Sequence, residues 1–367
     1  MRASFGKLIC VMATAIAFSS PALADEEKVL NVYNWSDYIA PDTLEKFTAE
    51  TGIKVNYDVY DANETLSAKL QAGKSGYDVV FPSASPFLAL QIKAGIHQKL
   101  DRAKIKNFAT IDPAVLKTLT VADPGNQIAV PYMIAATGIG YNIDKIKKLL
   151  PDAPVDSWAL LFNPTVVSKL KTCGVSFLDT PTEVFAAALT YLGKKGDSQS
   201  TDDLKTAIDT VMAVRPSIKY FHSSKYINDL ANGDSCLAQG YVGDLIQARN
   251  RAEEAGKGVH IVVVIPKEGA VLNIDAAAIP VDAPHPDNAH KFIDFLLRPE
   301  IIAAISNTTG YANAVPASKP LLKKELLQDP AIYPPAEVVA KEFQVPPATQ
   351  AFERERTRAW TKVKTGK

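Results

Sequence analysis

The chain has 367 residues, 47% of them hydrophobic, with 40 Lys and Arg against 40 Asp and Glu. A formal net charge of zero removes the electrostatic attraction that nucleic acid or an anionic membrane surface would require, so neither is an expected partner. The length exceeds what a single core usually serves, and two domains are expected.

The N-terminus runs from Arg2 and Lys7 through an apolar stretch at 8–18 to Ala22-Leu23-Ala24. That order of basic, apolar and small residues predicts a secretory signal over 1–24, cleaved after Ala24. Ile9 precedes Cys10 where a lipid-anchor signal would want a small residue, so no anchor is expected. No later stretch has the roughly 18 unbroken apolar residues of a membrane span. An exported, soluble chain is predicted, and a monomeric one.

Residues 29–33 are strand-like and stop at Trp35-Ser36-Asp37-Tyr38; Pro41-Asp42 then opens a helix that ends at Thr51-Gly52. A strand over 53–60, a helix over 64–72 closed by Gly73, and a short strand over 77–81 follow. Strand, helix, strand, helix, strand within fifty residues predicts a parallel α/β sheet, in which ligands collect beyond the carboxyl ends of the strands. Trp35 to Tyr38 and Ser83 to Ser85 occupy such ends. Further strands are expected at 127–132 and in the glycine-loosened segment 137–142, where the chain crosses to a second lobe. That lobe carries helices near 184–192, 202–212 and 223–233. The strand at 259–266 returns the chain, 275–280 adds a strand to the first lobe, and helices follow at 289–297 and 301–306. The proline-rich and charged remainder is expected to wrap both lobes. The predicted organisation is lobe 1 from 25–136 with 262–318, lobe 2 from 137–261, and a crossing segment from 319–367.

Two cysteines lie beyond the signal, Cys173 and Cys236. In an oxidising compartment such a pair reads as a structural disulfide rather than a metal site, two buried thiols being the alternative. A bridge would close a loop of about 60 residues, for which chain entropy gives roughly 3 to 4.5 kcal/mol. The five histidines, His97, His222, His260, His285 and His290, show no metal spacing and read as solvated. No metal and no cofactor are expected.

Four carboxylates, Asp37, Glu183, Asp244 and Asp275, sit in apolar or glycine-rich surroundings. Clustered carboxylates raise one another's pKa unless a cation lies among them, and aromatic faces attract ammonium by roughly 0.5 to 2 kcal/mol. The plainer alternatives are a helix-start role for Glu183 and Asp244, a simple strand end at Trp35 to Tyr38, and a core ring at Tyr311.

With these pieces placed, the chain closely resembles the periplasmic polyamine-binding proteins of ABC importers, the putrescine-binding branch above all. The likeness spans the whole sequence after the signal. It rests on Trp35-Ser36-Asp37-Tyr38, Pro82-Ser83-Ala84-Ser85, the segments 137–142 and 173–177, Phe221-His222-Ser223-Ser224 with 226–230, and 356–364. The resemblance implies two α/β lobes of the type II periplasmic-binding-protein fold, each a mostly parallel sheet flanked by helices, hinged about a central cleft. It also implies a bridge between the cysteines, an inner-membrane permease as partner, and no enzyme activity. Carried over position by position, Trp35, Ser36, Asp37, Tyr38 and Ser83 fall on ligand positions of the first lobe. Glu183, Ser223 and Asp244 fall on positions of the second, and Asp275 and Tyr311 on the returning first lobe. Two positions depart from the family: Tyr241 replaces a tryptophan and Asn273 an aromatic. An extra residue at Pro86 alters the loop after Ser83. An aromatic wall packs a diamine's methylenes at about 0.8 kcal/mol per buried CH₂, so Asn273 is expected to reshape the site for something other than plain putrescine. Candidates are a longer polyamine, agmatine, or an ω-amino acid whose carboxylate Asn273 receives. The competing class is an exported glycoside hydrolase with two of these carboxylates as acid and base, although no hydrolase motif is present. A sensor that signals to a receptor differs only in its partner.

Overall fold

The computed structural model describes residues 26–366, and the expected signal at 1–24 lies outside the described residues. Among the described residues there are eleven strands: β1 (Val29–Trp35), β2 (Lys54–Tyr60), β3 (Val79–Val80), β4 (Ala129–Asn142), β5 (Val175–Phe177), β6 (Tyr220–Phe221), β7 (Leu237–Tyr241), β8 (Ile261–Val264), β9 (Ala270–Ala278), β10 (Ala312–Asn313) and β11 (Glu342–Phe343). β1 pairs in parallel with β2 and β3, as the alternation of strands and helices predicts. β9 then runs antiparallel to β3 and to the first half of β4, where β10 also pairs. The second half of β4 leaves this sheet for another, pairing antiparallel with β7 and β8, while β5 joins β7 and β6 in parallel. The architecture is a two-lobed α/β fold of two mixed sheets with helices around each, linked through one long strand.

β4 can make that crossing because all but one of its 14 residues are buried, so its ladder is satisfied on either side along its length. Its glycines are packing positions rather than loosening ones. A Cβ on Gly138 would lie 2.6 Å from the Val264 carbonyl, and one on Gly140 would lie 2.5 Å from Leu245. Residues 261–264, expected to return the chain, pair with Ile139 to Asn142 instead. The return is made by β9, whose alternate residues can reach apolar neighbours on two faces of the first sheet.

Separate cores flank the two sheets. Phe47, Phe81, Phe292 and Phe295 pack on one face of the first sheet and Leu66, Leu88 and Leu119 on the other, while Trp158, Phe162, Phe177 and Tyr226 fill the second. Cys173 and Cys236 are bridged, their Cα atoms 5.4 Å apart, tying the approach to β5 to the start of β7. The C-terminal region contains a 16-residue helix, Gln350–Thr365, capped by Thr349. Its Phe352, Ala359, Trp360 and Val363 join the second core, and the Ser85 hydroxyl of the first lobe donates to the Val345 carbonyl at 2.7 Å.

The solvated reading of the histidines needs correction at three positions. His97 is buried against Gln91, His290 accepts from the Asp101 amide, and His285 faces the buried Asp78 carboxylate. Each ring closes a polar gap between a helix and a loop, which sequence spacing does not reveal. Among the described residues no helix is long and apolar enough to cross a membrane, and no cluster of three His, Cys, Asp or Glu could hold a metal.

Candidate functional site

The first wall forms where β1 ends. The Trp35 indole N–H donates to the Phe81 carbonyl at 2.8 Å, and its ring rests on Tyr60, centroids 4.7 Å apart. Asp37 adopts a left-handed φ of 55°, which turns the chain sharply enough to bring Tyr38 back under the sheet. Tyr38 is buried and its hydroxyl donates to Asp275 Oδ2 at 2.7 Å. Ser83, held by two bonds to Asn63, donates to Asp275 Oδ1 at 2.5 Å. Asp275 sits on β9 opposite the bulge between Pro131 and Met133, which aims it at the strand ends.

The second wall centres on Asp244, in the first turn of the helix Val242–Ala255. Tyr226 donates to its Oδ2 and Tyr311 to its Oδ1, both at 2.7 Å. Burial holds the Tyr38, Tyr226 and Tyr311 hydroxyls well above the usual phenol range, so all three remain donors. Gly243 is required here because a Cβ would lie 2.2 Å from the Tyr311 ring.

Between the walls lies a cavity. Ten of the twelve expected residues line it: Trp35, Ser36, Tyr38, Ser83, Ser223, Tyr241, Asp244, Asn273, Asp275 and Tyr311. Glu183 and Asp37 do not. Glu183 stands behind Asn273, whose amide donates to its Oε1 at 2.9 Å, while Thr137 donates to Oε2. Asp37 lies at the rim, its carboxylate 2.7 Å from the Arg251 guanidinium, with Gln247 donating to its carbonyl. Tyr60, Asp61, Ala135 and Ser224 also line the cavity and were not among the expected residues. Tyr60 and Asp61 end β2 as Trp35 ends β1, so the rule of strand carboxyl ends would have found them.

Three carboxylates, Asp61, Asp244 and Asp275, therefore face the cavity, and among the described residues no Lys or Arg lines it. Burial pushes Asp244 up to about 7 against the pull of its two tyrosine donors, and Asp275 up to about 6 against Ser83 and Tyr38. Burial also raises Glu183. Each of Asp244 and Asp275 has one hydroxyl on each oxygen, leaving further acceptor capacity on every oxygen. Such a chamber is costly when empty and ionised, and a buried cation offsets the cost.

Comparison with known proteins gives the same family throughout. The family model for bacterial extracellular solute-binding proteins matches residues 42–334. The chain is 53% identical over 368 residues to the putrescine-binding periplasmic protein SpuD of Pseudomonas aeruginosa, covering 100% of both chains. It is 53% identical over 359 residues to the putrescine-binding periplasmic protein PotF of Escherichia coli, covering 97% of each. The solved spermidine/putrescine transporter substrate-binding protein PotD of Streptococcus pneumoniae superposes with a TM-score of 0.74 at 26% identity, over 93% of this chain and 99% of that one.

Proposed function

The chain belongs to the bacterial extracellular solute-binding protein family, and from that premise we propose that it captures a polyamine or related amino cation in the cleft and delivers it to an ABC importer. The observation that carries this reading is a cavity walled by aromatics and three carboxylates with, among the described residues, no cationic side chain on it. Primary ammonium groups would sit against Asp244 and Asp275, and the Trp35, Tyr38, Tyr241 and Tyr311 rings would cover the methylenes between them. The lobes divide where β4 and β9 pass between the sheets, and the boundary expected at 262 moves past β8, whose residues 261–264 pair with the second half of β4 and stay with 137–261. Ligand contacts on both sides favour the closed form, since only differential affinity shifts such an equilibrium. The protein acts as a periplasmic monomer, after loss of residues 1–24, on an inner-membrane permease.

Binding rather than hydrolysis is favoured because Asp244 and Asp275 are each fixed by two hydroxyl donors, which leaves neither free to swing toward a scissile bond. Titration calorimetry with putrescine, cadaverine, spermidine, agmatine and γ-aminobutyrate, followed by recovery of the ligand, tests the proposal. Tight binding of at least one amine and its return unchanged are expected. Failure of every amine, or any product, overturns it.

A further inference from the structure

Asn63 opens the helix Asn63–Gln71 and is 6% exposed. It does not line the cavity, yet it meets the Asp275 grip through Ser83. Ser83 faces Asp275 across an antiparallel bridge, and the Ala276 amide donates to the Pro82 carbonyl at 3.0 Å, which sets this loop against β9. The Ser83 amide donates to Asn63 Oδ1 at 3.0 Å. A backbone N–H is always a donor, so the side-chain atom it meets is the amide oxygen and the other is the NH₂ group. That NH₂ donates to Ser83 Oγ, also at 3.0 Å. With a donor already on its oxygen, the Ser83 hydroxyl turns its proton to Asp275 Oδ1, 2.5 Å away. The Asp244 grip shows the same order from another source: the Tyr241 backbone N–H donates to the Tyr226 hydroxyl at 3.0 Å, and Tyr226 donates on to Asp244.

We propose that Asn63 is a positioning residue for the Asp275 grip, which fixes the direction of the Ser83 hydroxyl and so keeps Asp275 in the acceptor form that an ammonium requires. The inference rests on the amino-cation reading for the occupant, while the order of donors belongs to the protein alone. A proton on Asp275 Oδ1 would point at Ser83 Oγ, leaving that oxygen with two donors and the Ser83 proton without an acceptor. The neutral carboxyl is thereby disfavoured, against the burial that pushes Asp275 up to about 6. Tyr38 guards Oδ2. The other titratable groups around Asp275 are Tyr60 and Tyr132, whose hydroxyls donate to the Phe81 and Tyr38 carbonyls, and Tyr241 and Glu183 from the second lobe. Asp61 and Asp244 share the cavity with it.

The test follows the Asp275 carboxyl carbon by NMR across pH in the empty protein labelled at aspartate, the signal being assigned by its loss in Asp275→Asn. Calorimetric putrescine Kd is measured over the same range. Asn63→Asp keeps an acceptor for the Ser83 amide but replaces the NH₂ by a second acceptor, which draws the Ser83 proton away from Asp275. Asp275 should then titrate about one pH unit higher, and Asn63→Ala should raise it by less. In a Ser83→Ala background the Asn63→Ala rise should vanish, and the Asn63→Asp rise should fall to what its added charge alone contributes. The lower step of the putrescine pH profile should move with the titration while the Asp244 step stays. A residue that merely ties the helix start to the loop after β3 gives the reverse order, the shape-conserving Asn63→Asp being milder than Asn63→Ala. An unmoved titration, that reverse order, or rises equal with and without the Ser83 hydroxyl overturns the inference. If Asn63→Asp does not fold, Asn63→Ala with and without Ser83→Ala decides it. The NMR titration needs no ligand, so if no amine binds, the amino-cation reading fails while the role of Asn63 is still decided by the titration.

Discussion

The two carboxylate grips look alike and are built differently. Asp275 takes both donors, Tyr38 and Ser83, from strand ends of the sheet to which it belongs. Asp244 takes Tyr226 from its own side, but Tyr311 comes from the chain just before β10, which pairs with the first sheet, and packs in the first core against Tyr38. One grip is complete within a single unit, and the other is finished only when the two units meet. The difference teaches where affinity and closure would be coupled under the proposed function: a ligand at Asp275 would meet a finished site, whereas a ligand at Asp244 would meet one that closure assembles.

Removing a carboxylate should have the largest effect. Asp244→Ala leaves a buried ammonium without its partner and should weaken binding by about 3 to 5 kcal/mol, as should Asp275→Ala. Calorimetry gives the two losses, and small-angle scattering gives the liganded shape. Asp275→Ala should bind weakly yet still close at saturating ligand, whereas Asp244→Ala should stay more open; identical shapes would erase the distinction. Gly243→Ala attacks the Asp244 grip alone. Its Cβ would sit 2.2 Å from the Tyr311 ring, and overpacking of that kind costs about 1 to 3 kcal/mol, read here as lost affinity with Tyr38 and Ser83 undisturbed.

Single hydroxyls sharpen the comparison further. A hydrogen bond to a charged group contributes about 1.5 to 3 kcal/mol, so Tyr38→Phe and Tyr311→Phe should weaken binding by similar amounts at equilibrium. They should differ in kinetics. Tyr311→Phe removes a bond between the two units and should speed ligand release, measured by stopped-flow fluorescence of Trp35, while Tyr38→Phe should leave closure of the cleft unchanged.

Acid should act first on the Asp244 grip. A carboxylate whose pKa is raised in the folded protein holds its proton longer there than when unfolded. The empty protein is therefore favoured below pH 4 and loses that contribution as pH rises through about 6 at Asp275 and about 7 at Asp244. A bound ammonium requires both groups ionised, so binding releases protons. Affinity should be flat above roughly pH 8 and fall by up to about tenfold per pH unit as Asp244 protonates, then more steeply below about pH 6. Asp244→Asn should delete the upper step from the pH profile of calorimetric Kd and leave the lower one.

Legibility in the sequence follows the same divide. The Asp275 grip could be read because Trp35, Tyr38 and Ser83 stand at strand ends, and strand ends are local features. Tyr226 carried no such signal: it lies inside a helix and meets Asp244 only through a tertiary contact. Asn273 was visible as a departure, but its capping of Glu183 joins residues 90 positions apart, which no spacing encodes. The C-terminal helix did carry a signal. Phe352, Arg356, Ala359, Trp360 and Val363 recur at helical spacing and are its buried face, hidden beneath a charged composition.

Asp37 marks the limit of reading a carboxylate as a ligand group. Its oxygen faces Arg251 across the mouth of the cleft, 214 positions away in sequence, and Arg251 also donates to Asn228. Both partners are partly exposed, and an exposed pair of this kind contributes about 0 to 1 kcal/mol. The pair joins the first unit to the second and neither residue lines the cavity, so under the proposed function it would hold the closed form without touching the occupant. Arg251→Ala should thus leave the association rate unchanged and raise the dissociation rate by about twofold to fivefold at low ionic strength. Salt shortens the Debye length to about 3 Å at 1 M, so the difference in release rate between the variant and the unaltered protein should shrink there. A difference undiminished at 1 M salt would place Arg251 in the binding chamber with Asp244 rather than at its rim.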